Sequence, residues 1–394
     1  MPDRSRPVYL DFAATSALRP DTVSRAVADY LTAPGATPGR GAHRLAVEAG
    51  RIALRCRLAL AELLHLPGDP GRIAFMLNAT HALNTAMAGV LQAGDIVVVT
   101  QLDHNAVLRP AHRLATRAGI RMRLVPADGS GTIDELALDR ALEGARLLAI
   151  NAASNVLGTA TDVRALARRA RSAGALVLVD LAQAAGHLPF DAAAADVDLV
   201  AITGHKALLG PQGIGALWVR PGVEIEPLLT GGTGGDSGSR EMPVALPDRL
   251  EAGTINAPGV AGLLAGIEWI QERGVDRLQA HGAAMKQRLH DGLRDVPGVR
   301  VVSPDVPGGV PIVTVVADEI DPSTLAARLD REHAVMTRSG LHCAPEAHRV
   351  LGTADTGAVR FSSGWATTED DIDRAIDAVA AVATSTRRGA TSGV

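Results

Sequence analysis

The chain has 394 residues, 47% hydrophobic and 21% charged, which is enough for a large core and long enough that two lobes, or one large α/β unit with an appendage, are expected. A net charge of -4 without runs of like charge excludes the basic footprint that nucleic acid or an anionic membrane surface would need. The opening MPDRSRPVYLDFAATS has no apolar signal core, and no stretch approaches the ~20 apolar residues of a membrane span, so a cytoplasmic protein is expected.

In chain order, RIAFML is followed by the helical pattern THALNTAMAGVL, DIVVVT by AVLRPAHRLATRAG, and RMRLVP by ELALDRALEGA. RLLAIN precedes a helix over 162-173, and ALVLVD, LVAITG and GALWVR continue the series. Continuous apolar strands separated by helices predict an α/β fold whose sheet is largely parallel and covered on both faces. Right-handed crossovers gather the strands' carboxyl ends along one edge, where ligands of open sheets bind. The stretch TGGTGGDSGSREMPVALPDR, rich in glycine and proline, reads as a long functional loop. Helices near 258-273 and 276-295, strands VRVVSP and PIVTVVA, and a helix over 323-333 predict a smaller α+β lobe. We draw a large domain over 16-255, a small domain from 1-15 plus 256-385, and a frayed polar tail over 386-394.

Two residue types are scarce enough to be read singly. Cys56 and Cys343 are too few and too far apart for a disulfide framework or a cysteine zinc site, so no metal is expected. Cys56, inside the helical EAGRIALRCRLALAELLHL, reads as a small buried hydrophobe. The only lysines are Lys206 and Lys286. Lys286, in the amphipathic AAMKQRLHDGL, reads as helix surface. Lys206, in AITGHKALLGPQGIG, follows an apolar strand and precedes a glycine-rich turn, at the carboxyl edge of the sheet. Desolvation there favours the free amine, which forms an imine with an aldehyde cofactor, and pyridoxal 5'-phosphate (PLP) is the aldehyde that recurs in such sites. A protonated pyridine ring needs an anion, and Asp180 ends the strand ALVLVD, with Gln183 three residues on. Asp180 also suits a helix N-cap. A phosphate needs helix-start N–H groups and hydroxyls; Ala79 and Thr80 of LNATHALN, and Thr203 and His205 flanking the lysine, are the candidates.

These segments, in this order, resemble the class V, fold type I PLP-dependent transferases, and within them the suf-type cysteine desulfurases and selenocysteine lyase-like proteins. The resemblance runs through VYLDFAATS, GRGAH, NATHALN, LDHNAVLRP, ASNVLGT, VDLAQAAG, TGHKALLGPQGIG, LEAGTINAPG, RSGLHCAPEAH and VRFSSGWATTEDD. It implies that Lys206 carries PLP, that Asp180 and Gln183 bind the ring, and that His104 stacks on its face. Ala79, Thr80, Thr203 and His205 would hold the phosphate, with Thr254 reaching the phosphate of a second subunit in a homodimer with shared active sites. Arg360 would take the substrate carboxylate, with Asn155 and Arg338 in the same pocket. Cys343 would be the nucleophile on cysteine sulfur, with Arg338 and His342 near enough to favour its thiolate.

The implied activity is a cysteine desulfurase that turns L-cysteine into L-alanine and leaves a persulfide for an acceptor protein or small thiol, as in iron-sulfur cluster assembly. The alternatives are a selenocysteine lyase, a class V aminotransferase or other C–S lyase that does not need Cys343, and a non-catalytic protein that only binds PLP or a sulfur-transfer partner. The sequence departs from the resemblance at Phe12, where many such proteins have asparagine, at Asp103 in place of glutamate, and at GWATTE, which lacks an asparagine.

Overall fold

The computed structural model describes residues 6-39, 41-235 and 238-391. β1 (Val8–Tyr9) leads into α1 (Asp21–Thr32) and α2 (Arg44–Leu63). The alternating region follows as β2 (Ile73–Met76), α3 (Ala79–Val90), β3 (Ile96–Thr100), α4 (Asn105–Arg117), β4 (Arg121–Val125) and α5 (Glu135–Leu142). It continues as β5 (Leu147–Asn151), α6 (Val163–Ser172), β6 (Leu176–Asp180), α7 (Ala192–Ala195), β7 (Leu199–Thr203) and β8 (Gly215–Val219). No helix or strand interrupts the described part of 230-249, as its composition predicts.

Among the described residues the large sheet has seven strands in the order β2-β8-β7-β6-β5-β3-β4. The five from β7 to β4 are parallel, while β8 runs antiparallel to both β2 and β7. The link from β7 to β8 holds no helix, and a parallel return needs a crossover that is usually helical, so β8 runs back antiparallel. Both faces are covered: Val97, Val99, Leu147 and Ala149 pack into one apolar cluster, and Ile96, Val98, Leu148 and Ile150 into another. The expected apolar strands are therefore buried on both sides, except the edge strand β4, which is largely exposed; Cys56 is fully buried in the core.

The rest of the chain forms α8 (Ala257–Arg273), α9 (Val275–Arg294), β9 (Val299–Val301), β10 (Ile312–Ala317), α10 (Pro322–His333), β11 (Val335–Met336) and β12 (Arg338–Gly340). After them come α11 (Pro345–Val350), β13 (Ala358–Ser362) and α12 (Glu369–Thr391). The smaller sheet is antiparallel, in the order β12-β13-β10-β9. β1 pairs with β11, and Asp11 bridges to Ser362, so the start of the chain is stitched to this later sheet. α8 packs with α1 and α2, and its Val260, Leu263 and Ile267 join an apolar cluster of the large sheet, so the large core extends beyond residue 256. α12 continues to Thr391 through the segment read as a tail, and 392-394 lie outside the described residues.

The reading of Lys286 is corrected. The residue is buried, and its Nζ donates to the carbonyls of Gly158 (3.3 Å) and Gly308 (3.5 Å). Its helix packs against α8, α12, β9 and β10 and keeps a solvated face through Arg277, Ala284, Gln287 and Arg288, while Lys286 lies on the packed side with Met285 and Leu289. Among the described residues no helix is long and apolar enough to cross a membrane.

Candidate active site

At the carboxyl edge of the large sheet lies a cavity of about 230 Å³. The edge collects residues because parallel strands end together: Asn151 closes β5 opposite Asp180 of β6, and Thr203 closes β7 just before Lys206. The walls include Ala79, Thr80, His104, Asn155, Asp180, Gln183, Thr203, His205, Lys206, Arg338 and Arg360. One cavity thus brings together eleven of the residues singled out in the sequence. Thr254 is exposed and not among the walls, and Cys343 lies on the exposed loop between β12 and α11.

Electrostatics here follows from burial. Desolvation pulls the Lys206 ammonium down to about 8 against the opposing attraction of Asp180. Burial likewise raises the Asp180 carboxyl above its usual range, countered by the Ala182 N–H donating to Oδ1 at 2.8 Å and by Lys206. His104 caps α4, its Nδ1 accepting from Ala106 N at 3.0 Å. Burial, reinforced by Lys206 and Arg338, holds His104 down at about 3, so the ring is neutral and carries its proton on Nε2. Gln183 Nε2 donates to the Ala13 carbonyl at 3.0 Å.

One corner has the chemistry of an anion site. Ala79 and Thr80 begin α3, where backbone N–H groups have no intrahelical acceptor, and Asn78 Oδ1 takes only His81 N. Facing them, Thr203 Oγ1 and His205 Nδ1 are buried without a hydrogen-bond partner among the described residues. Orphaned buried polar atoms in a native site call for a ligand or water, and a phosphate fits this donor set. A lysine amine, a carboxylate and this corner in one cavity therefore fit the cofactor that the sequence resemblance implies.

Opposite, Arg360 is 1% exposed and already restrained: Nη2 donates to Asp11 Oδ1 (2.8 Å) and Nη1 to the Asn155 carbonyl (3.1 Å). Its Nε is buried without a hydrogen-bond partner among the described residues. Asn155 Nδ2 donates to the His342 carbonyl at 2.8 Å, which ties the wall to the cysteine loop. Arg338 Nη2 stands 3.6 Å from Cys343 Sγ. The expectation that His342 also serves the thiol is corrected. Its ring contacts the Arg338 carbonyl and His348, and burial keeps it neutral at about 3. Among the described residues Arg338 is the cation in contact with Sγ, and Lys206 and Arg360 act on it from farther off.

Three residues outside the cavity walls had no role in the sequence reading. Asp11 lay in the quoted VYLDFAATS without a role, and nothing local announces a partner 349 positions away. Asp103 is fully buried, accepting from Thr100 N and Oγ1 and from Asn151 N, and burial raises it to about 7. It ties β3 to β5 directly before His104. Phe12 is 3% exposed, packs edge-to-face on Tyr9 at 4.9 Å, and does not line the cavity, so that departure belongs to the core.

The chain matches the family model described as aminotransferase class-V over residues 8-375. A probable cysteine desulfurase of Methanothermobacter thermautotrophicus is 36% identical over 372 residues, covering 93% of this chain and 92% of the relative. One from Pseudomonas aeruginosa is 36% identical over 377 residues, 93% and 91% of the two chains. Among solved structures, the apo cysteine desulfurase of Thermococcus onnurineus superposes with a TM-score of 0.89 at 30% identity, covering 96% and 95%. The cysteine desulfurase CsdA of Escherichia coli, in an S-sulfonic acid form, gives 0.84 at 29%, covering 96% and 94%. With the model spanning nearly all of its length and its parallel sheet, lysine edge and arginine wall in place, this chain belongs to the aminotransferase class-V family.

Proposed function

We propose that this chain is a PLP-dependent cysteine desulfurase. The observation that carries the reading is an exposed thiol, Cys343, touching Arg338 on the wall of the cavity that holds Lys206, Asp180 and Arg360. The names of its relatives support the same reading. PLP, when bound, supplies the electron sink that stabilises negative charge at the substrate's Cα.

The chain's own groups supply the rest. The lowered Lys206 amine carries the cofactor and then takes the proton from Cα. Asp180 pairs with the ring nitrogen, Gln183 and His104 hold the ring, and the Thr203, His205, Ala79 and Thr80 corner holds the phosphate. Arg360, with Nε unpartnered, and Asn155 orient L-cysteine by its carboxylate. The Cys343 thiolate attacks the substrate sulfur, the C–S electron pair goes to Cβ and is protonated, Lys206 returns a proton to Cα, alanine leaves, and the persulfide stays on Cys343. From there the sulfur passes to an acceptor protein or small thiol in the cytoplasm. Thr254, exposed and outside its own chain's cavity, supports a homodimer in which it serves the other subunit.

The test is release of alanine and sulfide from L-cysteine with a thiol reductant, comparing wild type with Cys343→Ala. Equal amounts of both products are expected from the wild type. The variant should keep the cofactor's absorbance and lose the products. Cofactor binding without alanine from cysteine would overturn the reading, and turnover of selenocysteine or of an amino acceptor by Cys343→Ala would then identify the lyase or aminotransferase alternative.

A further inference from the structure

The loop that carries the thiol holds an uncommon backbone. His342 and Cys343 both lie in the left-handed region, with φ of 49° and 56°, a conformation that β-carbon-bearing residues keep only when surroundings enforce it. Two anchors hold its main chain: the Asn155 amide on the His342 carbonyl, and Asn105 N donating to the Cys343 carbonyl at 2.7 Å. A third restraint is made of side chains that the proposed chemistry does not use. His342 Nε2 meets the Arg338 carbonyl at 3.0 Å, His342 Nδ1 meets His348 Nε2 at 3.0 Å, and His348 Nδ1 meets Thr353 Oγ1 at 2.7 Å. The two rings stack with centroids 5.2 Å apart and are almost wholly buried.

Chemistry fixes the direction of this chain. A carbonyl only accepts, so His342 carries its proton on Nε2, and its Nδ1 must accept from His348 Nε2–H. His348 Nδ1 then accepts from the Thr353 hydroxyl. The order holds only while both imidazoles are neutral, and burial keeps them so, at about 3 and about 4. The chain ends on the carbonyl of Arg338, the residue whose guanidinium stands beside Cys343 Sγ. It therefore fixes both partners of that contact at once.

We infer that Thr353, His348 and His342 form a buried relay of hydrogen bonds that positions the Cys343 thiol and the Arg338 guanidinium for sulfur transfer. These are positioning residues: His348 and Thr353 act through His342 and do not line the cavity. The inference rests on the proposed role of Cys343.

The experiment compares His348→Leu with His348→Gln, whose amide N–H reaches the place of Nε2–H, and with Thr353→Val, which removes the hydroxyl at nearly constant shape. Three quantities are measured on the PLP-loaded proteins: kcat and KM for sulfide release, exchange of the L-alanine Cα hydrogen in heavy water, which needs Lys206 and not Cys343, and amide exchange over 338-350. A misplaced nucleophile costs about tenfold or more, so kcat for His348→Leu should fall by at least ~10-fold while KM and alanine exchange stay within about twofold. His348→Gln should recover most of the loss and Thr353→Val should show a smaller loss of the same kind. The inference is overturned if His348→Leu keeps its kcat, if alanine exchange falls in proportion, or if glutamine does no better than leucine. Should the wild type release no sulfide, the desulfurase reading falls separately. Amide exchange still decides the relay: faster exchange over 341-344 in His348→Leu with the large sheet unchanged supports it, and unchanged exchange sinks it.

Discussion

Lys206 sets a pH dependence that can be read without any turnover. Its ammonium lies at about 8, below the ordinary ~10.4 for lysine, because the cavity edge desolvates it. Imine formation needs the free amine, and for a group at about 8 roughly a tenth is free at pH 7 and nine-tenths at pH 9. Capture of added PLP by the cofactor-free protein should therefore speed up severalfold between pH 7 and 9 and level off above. A rate that climbs only towards pH 10 would show an ordinary, solvated lysine. The position was legible because a strand of continuous apolar residues ends three residues earlier, and the same logic exposed Asp180. Lys286 was not legible, since a lysine in an amphipathic pattern is assigned to the solvated face, and the Gly158 and Gly308 carbonyls that receive it on the packed face are supplied only by the folded chain. Asp11, Asp103 and His348 escaped for a related reason: each matters through a partner that only the folded chain supplies.

At the scale of elements, the strands from β2 to β8 and the helices α8 to α10 fall within a residue or two of where apolar runs and helical periodicity put them. Local pattern decides such elements because both faces of the sheet are buried. It does not decide their direction, and the antiparallel β8 follows from a connection without a helix. The turn after β6 shows how closely two elements meet at the site. Gly186 has φ of 87°, and a β-carbon there would stand 2.5 Å from the Ala207 carbonyl, directly after Lys206. Gly186→Ala should therefore cost about 2 kcal/mol or more, from left-handed strain plus overpacking. It should also loosen PLP, because relief of the clash moves the lysine turn. The checks are a denaturant midpoint and a PLP titration. A lowered midpoint with unchanged affinity would mean that the strain is absorbed on the β6 side.

At the scale of the whole molecule, the cavity is closed by parts far apart in sequence: the large sheet supplies Lys206 and Asp180, and the later antiparallel sheet supplies Arg338 and Arg360. β1 pairs with β11 in a small sheet of its own, and Asp11, just after β1, holds Arg360 of the later sheet, so the arginine wall is held by segments far apart in the polypeptide. A single chain nevertheless leaves features without employment. α2 exposes Val47, Leu54 and Leu58, which recur at helical spacing on one face, and such apolar patches mark contact surfaces. Thr254 is exposed too, although its segment lies close in sequence to the loop over 230-249. A second copy covering this side would account for both, and the protein should sediment at twice its chain mass of 40.7 kDa. In that dimer Thr254→Val removes a hydroxyl from the partner's phosphate. A hydrogen bond to a charged group is worth about 1.5–3 kcal/mol, so PLP should bind roughly tenfold or more weakly, although Thr254 touches nothing in its own cavity. A dimer with unchanged PLP affinity in Thr254→Val would assign each cavity to one chain, and a monomer with full affinity would remove the shared site altogether.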